Sequence, residues 1–300
     1  LHTIPMEEVM RVLVPGGVAF VKEKKGWRRV EKDWPEEIDQ WTHFLHDATN
    51  NAVAMDKRIS PPKRLHWVSR PLYCRSHEID SSISALVTSK GRIFYIHDEG
   101  LIGITDQRLP QTWSLVARDA FNGIVLWRYA LPEWQPYCIP RRMSIAADLW
   151  RRLVATEKAV YVTDGIFGPV VSFEAETGRL LQRYKGTEKT EEIVFYKGVL
   201  YLVASTEDRD QIDRRQLALR RSLPRLKKLI AVEASGGRIL WEKCDKDTRG
   251  IQPLTLAVSK DKLFFQNVKA VLALDRHTGR TLWRYPRTVS YTHLTLPTKA

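Results

Sequence analysis

A short pattern of an acid, a glycine and a tryptophan recurs four times, and it constrains the fold more than any other feature of the sequence. In each copy the acid precedes the glycine by four residues, and the fourth residue after the glycine is Trp, except in the second copy, where it is Gln182. The repeated residues are Asp119, Gly123 and Trp127; Glu174 and Gly178; Glu233, Gly237 and Trp241; and Asp275, Gly279 and Trp283. A pattern repeated in phase indicates one supersecondary unit that is used several times.

Each copy predicts a β-hairpin. Alternating apolar residues lead into the acid, the glycine supplies a turn with φ > 0, and the alternation resumes toward the Trp. A further β-rich run precedes each hairpin, at residues 91–95, 158–162, 198–202 and 261–265. We expect the Trp to pack between neighbouring units, and the acid to accept backbone N–H bonds of the turn.

The spacing of the turn glycines favours a β-propeller over a β-sandwich. Successive glycines are 55, 59 and 42 residues apart, whereas a four-stranded blade needs about 40 to 50 residues, so the longer intervals imply insertions. A sandwich also has short alternating strands, but it has no reason to repeat an acid, a glycine and a Trp in phase. We therefore predict an all-β propeller, incomplete, with about four to five blades.

The fourth copy resembles a known repeat. Residues 273–283 fit the pattern Ala-x-Asp-x-x-Thr-Gly-x-x-x-Trp, which is similar to the repeats of the pyrroloquinoline-quinone-like (PQQ-like) β-propellers. The resemblance implies a PQQ-like or WD40-like propeller over residues 61–288, with structural roles for the repeated residues. That family includes quinone-dependent dehydrogenases as well as scaffolds without a cofactor, so the motif indicates a fold and not an activity.

Residues 1–33 differ from the repeats and predict an α/β element. Met6 to Val14 have a helical apolar face, Pro15-Gly16-Gly17 breaks the helix, and residues 18–21 are typical of a strand. The segment resembles the end of a class I S-adenosylmethionine (SAM)-dependent methyltransferase domain. The glycine-rich loop and the acid that bind SAM in that family would lie before Leu1, so the resemblance supplies no cofactor site here.

Both ends of the sequence suggest a fragment. The chain begins with Leu1 and its first residues lack the charged region and apolar stretch of a signal peptide, so we expect the true N-terminus, with any signal peptide, to lie upstream. Residues 289–298 resemble a translated sequencing adapter from a metagenomic assembly, and residues 289–300 are interpreted as a non-native tail. The alternative is a short Thr-rich strand that closes the domain.

Residues 34–60 are interpreted as a linker between the two parts. His43, His46 and Asp47 lie close together in it, as in a metal site, but no third ligand of comparable quality follows. We favour a linker that docks on the propeller and predict no metal site. The docking side chains are expected to be Trp34, Trp41 and Phe44.

The densest polar cluster is the candidate ligand-binding rim. It comprises two groups, of which the second ends a predicted strand where propeller loops open toward the axis: Arg75, Ser76, His77, Glu78 and Asp80, and then His97, Asp98 and Glu99. The candidate ligand-binding residues are Arg75, His77, His97 and Asp98. The alternative is a set of ordinary solvated loops, because no nucleophile with a base accompanies the cluster. No catalytic residue is predicted.

The distribution of charge and the lack of a long apolar run limit the classes of partner that the protein can bind. The net charge is +13, and much of the excess lies in a predicted insertion, residues 209–228, which is expected to project from the body. The insertion lacks interleaved aromatic residues, so nucleic acid is not the expected partner. No apolar run is long enough to span a bilayer, and three distant cysteines leave the compartment undecided.

The sequence supports two functional hypotheses. The first is a binding or scaffold protein that recognises a protein or a small molecule and works in the periplasm or outside the cell, as most relatives of such propellers do; a cytoplasmic location stays open. The second is an enzyme, either a quinone-dependent oxidoreductase or a SAM-dependent methyltransferase, whose active site lies outside these residues. No cofactor is expected in this part of the protein, whereas PQQ or SAM stays open for a longer chain.

Overall fold

The computed structural model describes residues 4–58, 60–61, 63–69, 83–101, 112–132, 134, 149–208 and 225–287. It contains one short helix, α1 (Met6–Val12), and a two-stranded hairpin of β1 (Val18–Glu23) and β2 (Gly26–Glu31). All other strands belong to four antiparallel sheets of four strands each. In the described ranges, no helix is long and apolar enough to cross a bilayer.

Each four-stranded sheet is a simple meander, in which strands that follow one another in the chain are hydrogen-bonded. We number these sheets as blades I to IV. Blade I contains β3 (Ile83–Ser89), β4 (Arg92–Asp98), β5 (Trp113–Asp119) and β6 (Val125–Leu131). Blade II contains β7 (Leu153–Ala155), β8 (Ala159–Thr163), β9 (Val170–Glu174) and β10 (Leu180–Tyr184). Blade III contains β11 (Thr190–Tyr196), β12 (Val199–Ser205), β13 (Lys227–Glu233) and β14 (Ile239–Lys243). Blade IV contains β15 (Ala257–Ser259), β16 (Lys262–Gln266), β17 (Ala270–Asp275) and β18 (Thr281–Pro286).

The blades are arranged as in a propeller, which confirms the predicted fold class. The first strands β3, β7, β11 and β15 contact one another in order and therefore lie nearest the axis. In blade I the middle strands are almost wholly buried, whereas the outer strand alternates between half-buried and exposed residues. The apolar core is formed between blades, with one cluster between each pair of neighbours.

The four predicted hairpins are present, each centred on its glycine. Gly123, Gly178, Gly237 and Gly279 have φ of +74°, +74°, +73° and +69°. In every hairpin the glycine N–H donates to the carbonyl of the acid four residues earlier, at 2.9 Å. The repeated glycine is therefore explained by a left-handed turn position that other residues adopt only with strain.

The expected role of the acid holds for the two Asp residues and is wrong for Glu174. Asp119 and Asp275 each accept two backbone N–H bonds of the turn through Oδ1, at 2.8 to 3.0 Å. Glu174 instead binds the Thr177 hydroxyl and the Arg179 guanidinium. The extra methylene of Glu carries its carboxylate past the backbone N–H groups that an Asp side chain reaches.

At the N-terminus the structure has the expected helix, turn and strand, but the helix is shorter than the sequence predicts. The helix ends at Val12 rather than Val14, and Leu13 is already extended with ψ of 137°, because a residue close before a proline is pushed out of the helical region. The strand β1 pairs with β2, which the sequence analysis did not predict. The resemblance of this segment to a methyltransferase stays a prediction.

The two ends of the blades differ in their connections. At one end the first strand turns into the second and the third into the fourth, through turns of two to five residues. At the other end, longer stretches of sequence separate the ends of the strands β4 and β5, β6 and β7, β12 and β13, and β14 and β15. We call these the tight-turn end and the long-loop end. Because loops of variable length on a rigid scaffold commonly carry binding residues, the long-loop end is the first place to look for a site.

Candidate functional site

The candidate rim residues His97 and Asp98 lie at the long-loop end of blade I. They end β4, the strand next to the innermost strand, and their exposed fractions are only 8% and 6%. They therefore do not point to solvent on the outer circumference. Arg75 and His77, the other two candidates, lie outside the described residues. The ligand-binding role of the cluster stays a prediction.

The carboxylates beside His97 are held by neighbouring polar groups. Ser114 donates a 2.8 Å hydrogen bond to Glu99, and the Arg128 guanidinium binds the other oxygen of the same carboxylate. Asp98 accepts a 2.9 Å bond from the backbone N–H of Gly100. Burial lowers the pKa of His97, although the Glu99 and Asp98 carboxylates act in the opposite direction. The imidazole is therefore neutral at pH 7 and can donate or accept one hydrogen bond.

A related ion pair recurs in blade II. The residue after the repeated Trp or Gln is Arg128 in blade I and Arg183 in blade II, and Arg183 binds Asp164 just beyond β8. The hydroxyl of Tyr129 in blade I also donates to Asp164, at 3.0 Å. These contacts tie the outer strands to the long-loop end and join blades I and II there.

In blade IV the corresponding arginine reaches back to the preceding connection. Arg284 binds both carboxylate oxygens of Asp247, at 2.8 and 2.6 Å. The arginine bonds are the largest cause of the lowered pKa of Asp247. In blade III the position holds Glu242, which pairs with Lys228 at 3.2 Å. The residue after the repeated Trp or Gln is therefore a cation in blades I, II and IV and an anion in blade III.

Close to the axis, the long-loop end covers two buried ion pairs. Arg151 Nη1 lies 2.5 Å from Glu192 Oε2, and the two side chains are only 4% and 5% exposed. The neighbouring Glu191 binds Lys227. Burial raises the pKa of Glu192, and the Arg151 charge opposes this change. Such pairs need both partners, because removing one leaves a buried charge uncompensated.

The same ion pairs correct the expected bounds of the basic insertion. Lys227 and Lys228 are the first residues of β13 and pair with acids of their own blade. They therefore belong to the body and do not project from it. Residues 209–224 of the predicted insertion lie outside the described residues.

At the tight-turn end, residues 39–50 form a segment that contacts the first strand of every blade. We call it the axial segment. Its hydrogen bonds are Thr88 N to Trp41 O at 2.7 Å, Ala155 N to Thr42 O at 2.9 Å, Phe195 N to His43 Nε2 at 3.0 Å, and Val258 N to Ala48 O at 2.7 Å. Each partner lies near the end of its strand, so the segment covers the axis of the four blades at this end.

The histidines of the axial segment hold its conformation. His46 Nε2 lies 2.6 Å from Asp39 Oδ2, and His46 has φ of 72°. His43 is buried, and this burial lowers its pKa to about 4, so its imidazole is neutral and Nε2 can accept the Phe195 N–H. Within the ranges described above, no cluster of three or more His, Cys, Asp or Glu residues could hold a metal ion.

The aromatic residues expected to dock the linker do contact the blades or one another. Phe44 stacks on Trp150 with ring centroids 5.1 Å apart. Trp34 meets Phe121 edge-on at 6.2 Å, whereas the Trp41 indole N–H donates to Phe44 O within the segment.

The repeated Trp residues join neighbouring blades, as expected, in two of the three cases. Trp127 and Trp241 lie over the turn glycines of the next blades, Gly178 and Gly279, where a Cβ would come within 2.6 Å of the ring. Their indole N–H groups donate to the carbonyls of Ala175 and Arg276, at 3.1 and 2.9 Å.

Trp283 differs, because it is 42% exposed and does not pack between described blades. In contrast, the sequence analysis missed Trp67, which lies over Gly123 and donates to Ala120 O at 2.9 Å. The signal was available, since Trp67 precedes Trp127 by 60 residues, close to the repeat length.

Four meandering sheets joined through Trp residues and turn glycines define a β-propeller. The chain belongs to the family PQQ_2, described as outer membrane protein assembly factor BamB, whose model matches residues 113–290. No curated protein gives a match to the chain.

The chain is similar, at low identity, to several solved structures. BamB from Moraxella catarrhalis is 14% identical with a TM-score of 0.35, and the match covers 69% of this chain and 59% of that one. The quinohemoprotein alcohol dehydrogenase of Comamonas testosteroni is 12% identical with a TM-score of 0.47, covering 82% and 41%. The enzyme ADHIIG of Pseudomonas putida HK5 is 12% identical with a TM-score of 0.46, covering 82% and 40%. The chain thus spans about two fifths to three fifths of the length of these proteins.

Proposed function

We propose that the protein is a binding or scaffold propeller that recognises a protein or small-molecule ligand at its long-loop end. The proposal rests on the position of the axial segment. It hydrogen-bonds to the first strand of each of the four blades at the tight-turn end, so a ligand approaching the axis has the long-loop end available. Propeller ligands commonly bind at loops around the axis, because the blades hold these loops rigidly.

Family membership supports a protein ligand. The matching family is described as an assembly factor for outer membrane proteins, and such a role requires contact with other proteins. On the same ground we propose that the protein works outside the cytoplasm. The buried ion pairs Arg151–Glu192 and Lys227–Glu191 fix the floor of the long-loop end, so the rim can present its side chains with little loss of entropy on binding.

The quinone-dependent alternative fits the described residues less well. Pyrroloquinoline quinone is a tricarboxylate, and a site for it needs cationic side chains that are free to meet it. At the long-loop end, Arg128, Arg183 and Arg151 already bind Glu99, Asp164 and Glu192. These three guanidinium groups are therefore engaged by carboxylates of the protein rather than open to a tricarboxylate ligand.

Site-specific photocrosslinking tests the proposed binding face. A photoreactive benzoylphenylalanine replaces Leu101, which is 59% exposed at the long-loop end, and in a matched variant it replaces His277, exposed in the tight turn between β17 and β18. Both proteins are expressed in the same Gram-negative host and irradiated in cells. We expect discrete adducts with Leu101 replaced and none with His277 replaced.

Two results would contradict the proposal. One is an equal set of adducts from both positions, or none from either. The other is catalysis: if the purified protein with pyrroloquinoline quinone and Ca²⁺ reduces a redox dye in an alcohol-dependent manner, the oxidoreductase alternative replaces the scaffold. Heat-treated protein is the control for that assay.

A further inference from the structure

Each blade carries the same row of three side chains across its last three strands. The row contains an aromatic residue, a small residue and the repeated Trp or Gln, which are paired side by side in the sheet. The rows are Phe94, Ala117 and Trp127; Tyr161, Ser172 and Gln182; Tyr201, Ala231 and Trp241; and Phe264, Ala273 and Trp283. In three blades the indole contacts the aromatic ring of the row, with ring centroids 5.9 to 6.2 Å apart.

Blade II lacks the indole and has a cavity at that place. The cavity has a volume of about 650 Å³ and is lined by all three row members, Tyr161, Ser172 and Gln182. Its opposite wall is blade III, through Gly198, Ala234 and Ser235, and Phe195 also lines it. This volume lies within the range of about 300–1,000 Å³ that is usual for small-molecule sites.

The Gln182 side chain replaces only part of the missing indole. Its Nε2 atom lies over the turn glycine Gly237, within 2.6 Å of where a Cβ would be, as the indole rings lie over the glycines of other blades. A Gln amide is much smaller than an indole ring, so the rest of the row is left as open space beside Tyr161 and Ser172.

The two blades are prevented from closing over this space by contacts at its border. The Tyr184 hydroxyl donates to Ala234 O at 2.6 Å, and the ring of Tyr161 stacks on Phe195 with centroids 5.3 Å apart and planes at 17°. The distance between blades II and III is therefore fixed without an indole. A gap that the structure holds open is a better binding site than one that collapses, because it needs no rearrangement.

From this geometry we propose that the cleft between blades II and III binds a planar aromatic ring of the indole class, in the position that Trp occupies in the other blades. The Tyr161 and Phe195 rings offer an aromatic wall, and the backbone near Gly198 allows close approach from the other side. The Ser235 hydroxyl can accept a ring N–H, and the Ala234 carbonyl, which already accepts from the Tyr184 hydroxyl, has a second lone pair for one. The ring comes from a free molecule or from a Trp side chain of a partner protein.

This site is at the tight-turn end and is distinct from the proposed long-loop binding face. If the cleft binds no aromatic ring, the proposed binding at the long-loop end is therefore unaffected. Its mouth is formed by the exposed residues Glu157 and Lys158 of blade II and Ser235 of blade III. A ligand can therefore enter from solvent without moving the axial segment.

Fluorine NMR with the full chain tests the proposal. The probe is 5-fluoroindole, titrated against the unaltered protein, against Gln182→Trp, which fills the cleft, and against Gln182→Ala, which leaves it open. We expect saturable binding with a Kd on the order of 1 mM or tighter for so small a ring. Binding should weaken at least tenfold in Gln182→Trp and change less than threefold in Gln182→Ala.

A second blocking variant guards against misfolding of the first. Ser235→Trp places an indole at the exposed mouth and should also weaken binding at least tenfold, with an unchanged circular dichroism spectrum. A second arm replaces 5-fluoroindole by a capped pentapeptide with a central 5-fluorotryptophan. Tighter binding of the peptide than of 5-fluoroindole supports a protein source for the ring, and tighter binding of 5-fluoroindole supports a small molecule. Absence of saturable binding of both probes, or equal binding in the blocked variants, overturns the proposal.

Discussion

The hydroxyl of Tyr184 in blade II donates a 2.6 Å hydrogen bond to the carbonyl of Ala234 in blade III. Ala234 follows the acid of its hairpin, as Ala175 and Arg276 follow theirs, and those two carbonyls accept the indole N–H of Trp127 and Trp241. Tyr184, two residues after Gln182 in its strand, therefore supplies in blade II the link that an indole N–H supplies in blades I and III.

Removing this hydroxyl should destabilise the protein. Tyr184 is fully buried, so Tyr184→Phe leaves the Ala234 carbonyl without this donor and should lower the free energy of unfolding by about 1–2 kcal/mol. Urea unfolding followed by circular dichroism measures the change. Tyr285→Phe is the control, because Tyr285 is 68% exposed and its change should be close to zero. Equal effects of both substitutions would contradict the assigned role of Tyr184.

The repeated Trp residues should differ in their contribution to stability. Trp127 packs between blades I and II, so Trp127→Ala should cost about 3 kcal/mol or more, as for large-to-small changes in a core. Trp283 is 42% exposed, so Trp283→Ala in this chain should cost less than about 1 kcal/mol. The midpoints of urea unfolding test the order. A larger loss for Trp283→Ala would mean that its exposure in the structure is wrong.

Substitution by Ala should be less well tolerated at a turn glycine that a Trp ring covers than at a turn glycine with open space around it. Gly178 and Gly198 have φ of +74° and +80°, so Ala suffers similar backbone strain of about 1 kcal/mol at both positions. At Gly178 the new Cβ would also lie 2.6 Å from the Trp127 ring, whereas nothing lies within 4 Å at Gly198.

We therefore expect Gly178→Ala to destabilise the protein by about 1–3 kcal/mol more than Gly198→Ala, because the ring must move. Differential scanning calorimetry of the two variants gives the comparison. If both lower the melting temperature equally, the Trp127 ring does not lie over Gly178.

Stability should fall between pH 7 and pH 5 because of His43. Burial lowers the pKa of His43 from 6.5 to about 4, so in this range the unfolded state binds a proton that the folded state does not. The stability is then greatest above pH 6.5 and decreases as the pH falls toward 4.

His43→Gln keeps a side-chain acceptor for the Phe195 N–H and removes the titration. The drop in unfolding free energy from pH 7 to pH 5 should therefore be about 1–2 kcal/mol smaller in this variant than in the unaltered protein. Because both proteins contain the other titratable groups, the difference isolates His43. Identical pH profiles would contradict a buried neutral imidazole.

The hairpins could be predicted from the sequence because their determinants are local. A glycine with φ > 0 and an acid four residues before it specify the turn within one short segment, and the four copies show this independently. Trp127 and Trp241 could be assigned to blade interfaces because each recurs at a fixed spacing from its turn glycine. Glu174 was misassigned because the pattern treats Asp and Glu alike, although only the shorter side chain reaches the backbone N–H groups of the turn.

The axial segment and the cleft could not be predicted, since both depend on contacts between distant residues. His43 meets Phe195 across 152 positions of the chain, through a backbone N–H that no sequence pattern marks. The loss of Trp at Gln182 was visible in the sequence, but the cavity there depends on Tyr184 and Phe195 keeping the blades apart. For the polar rim, His97 and Asp98 were placed at a strand end, whereas their ion-paired neighbourhood depends on Arg128 from another strand.

The most direct test of the account is whether the axial segment lies against the first strands. Ala48 and Val258 are joined by a 2.7 Å backbone hydrogen bond and are far apart in the sequence, so cysteines at these positions should form a disulfide. The experiment uses Ala48→Cys with Val258→Cys, with the three native cysteines changed to Ser, and Ala48→Cys with Ser89→Cys as the control pair. After mild oxidation of the folded protein, mass spectrometry should show the first disulfide in most molecules and the control disulfide in few. Absence of the first cross-link, or equal formation of both, would contradict the covered axis and the binding face assigned from it.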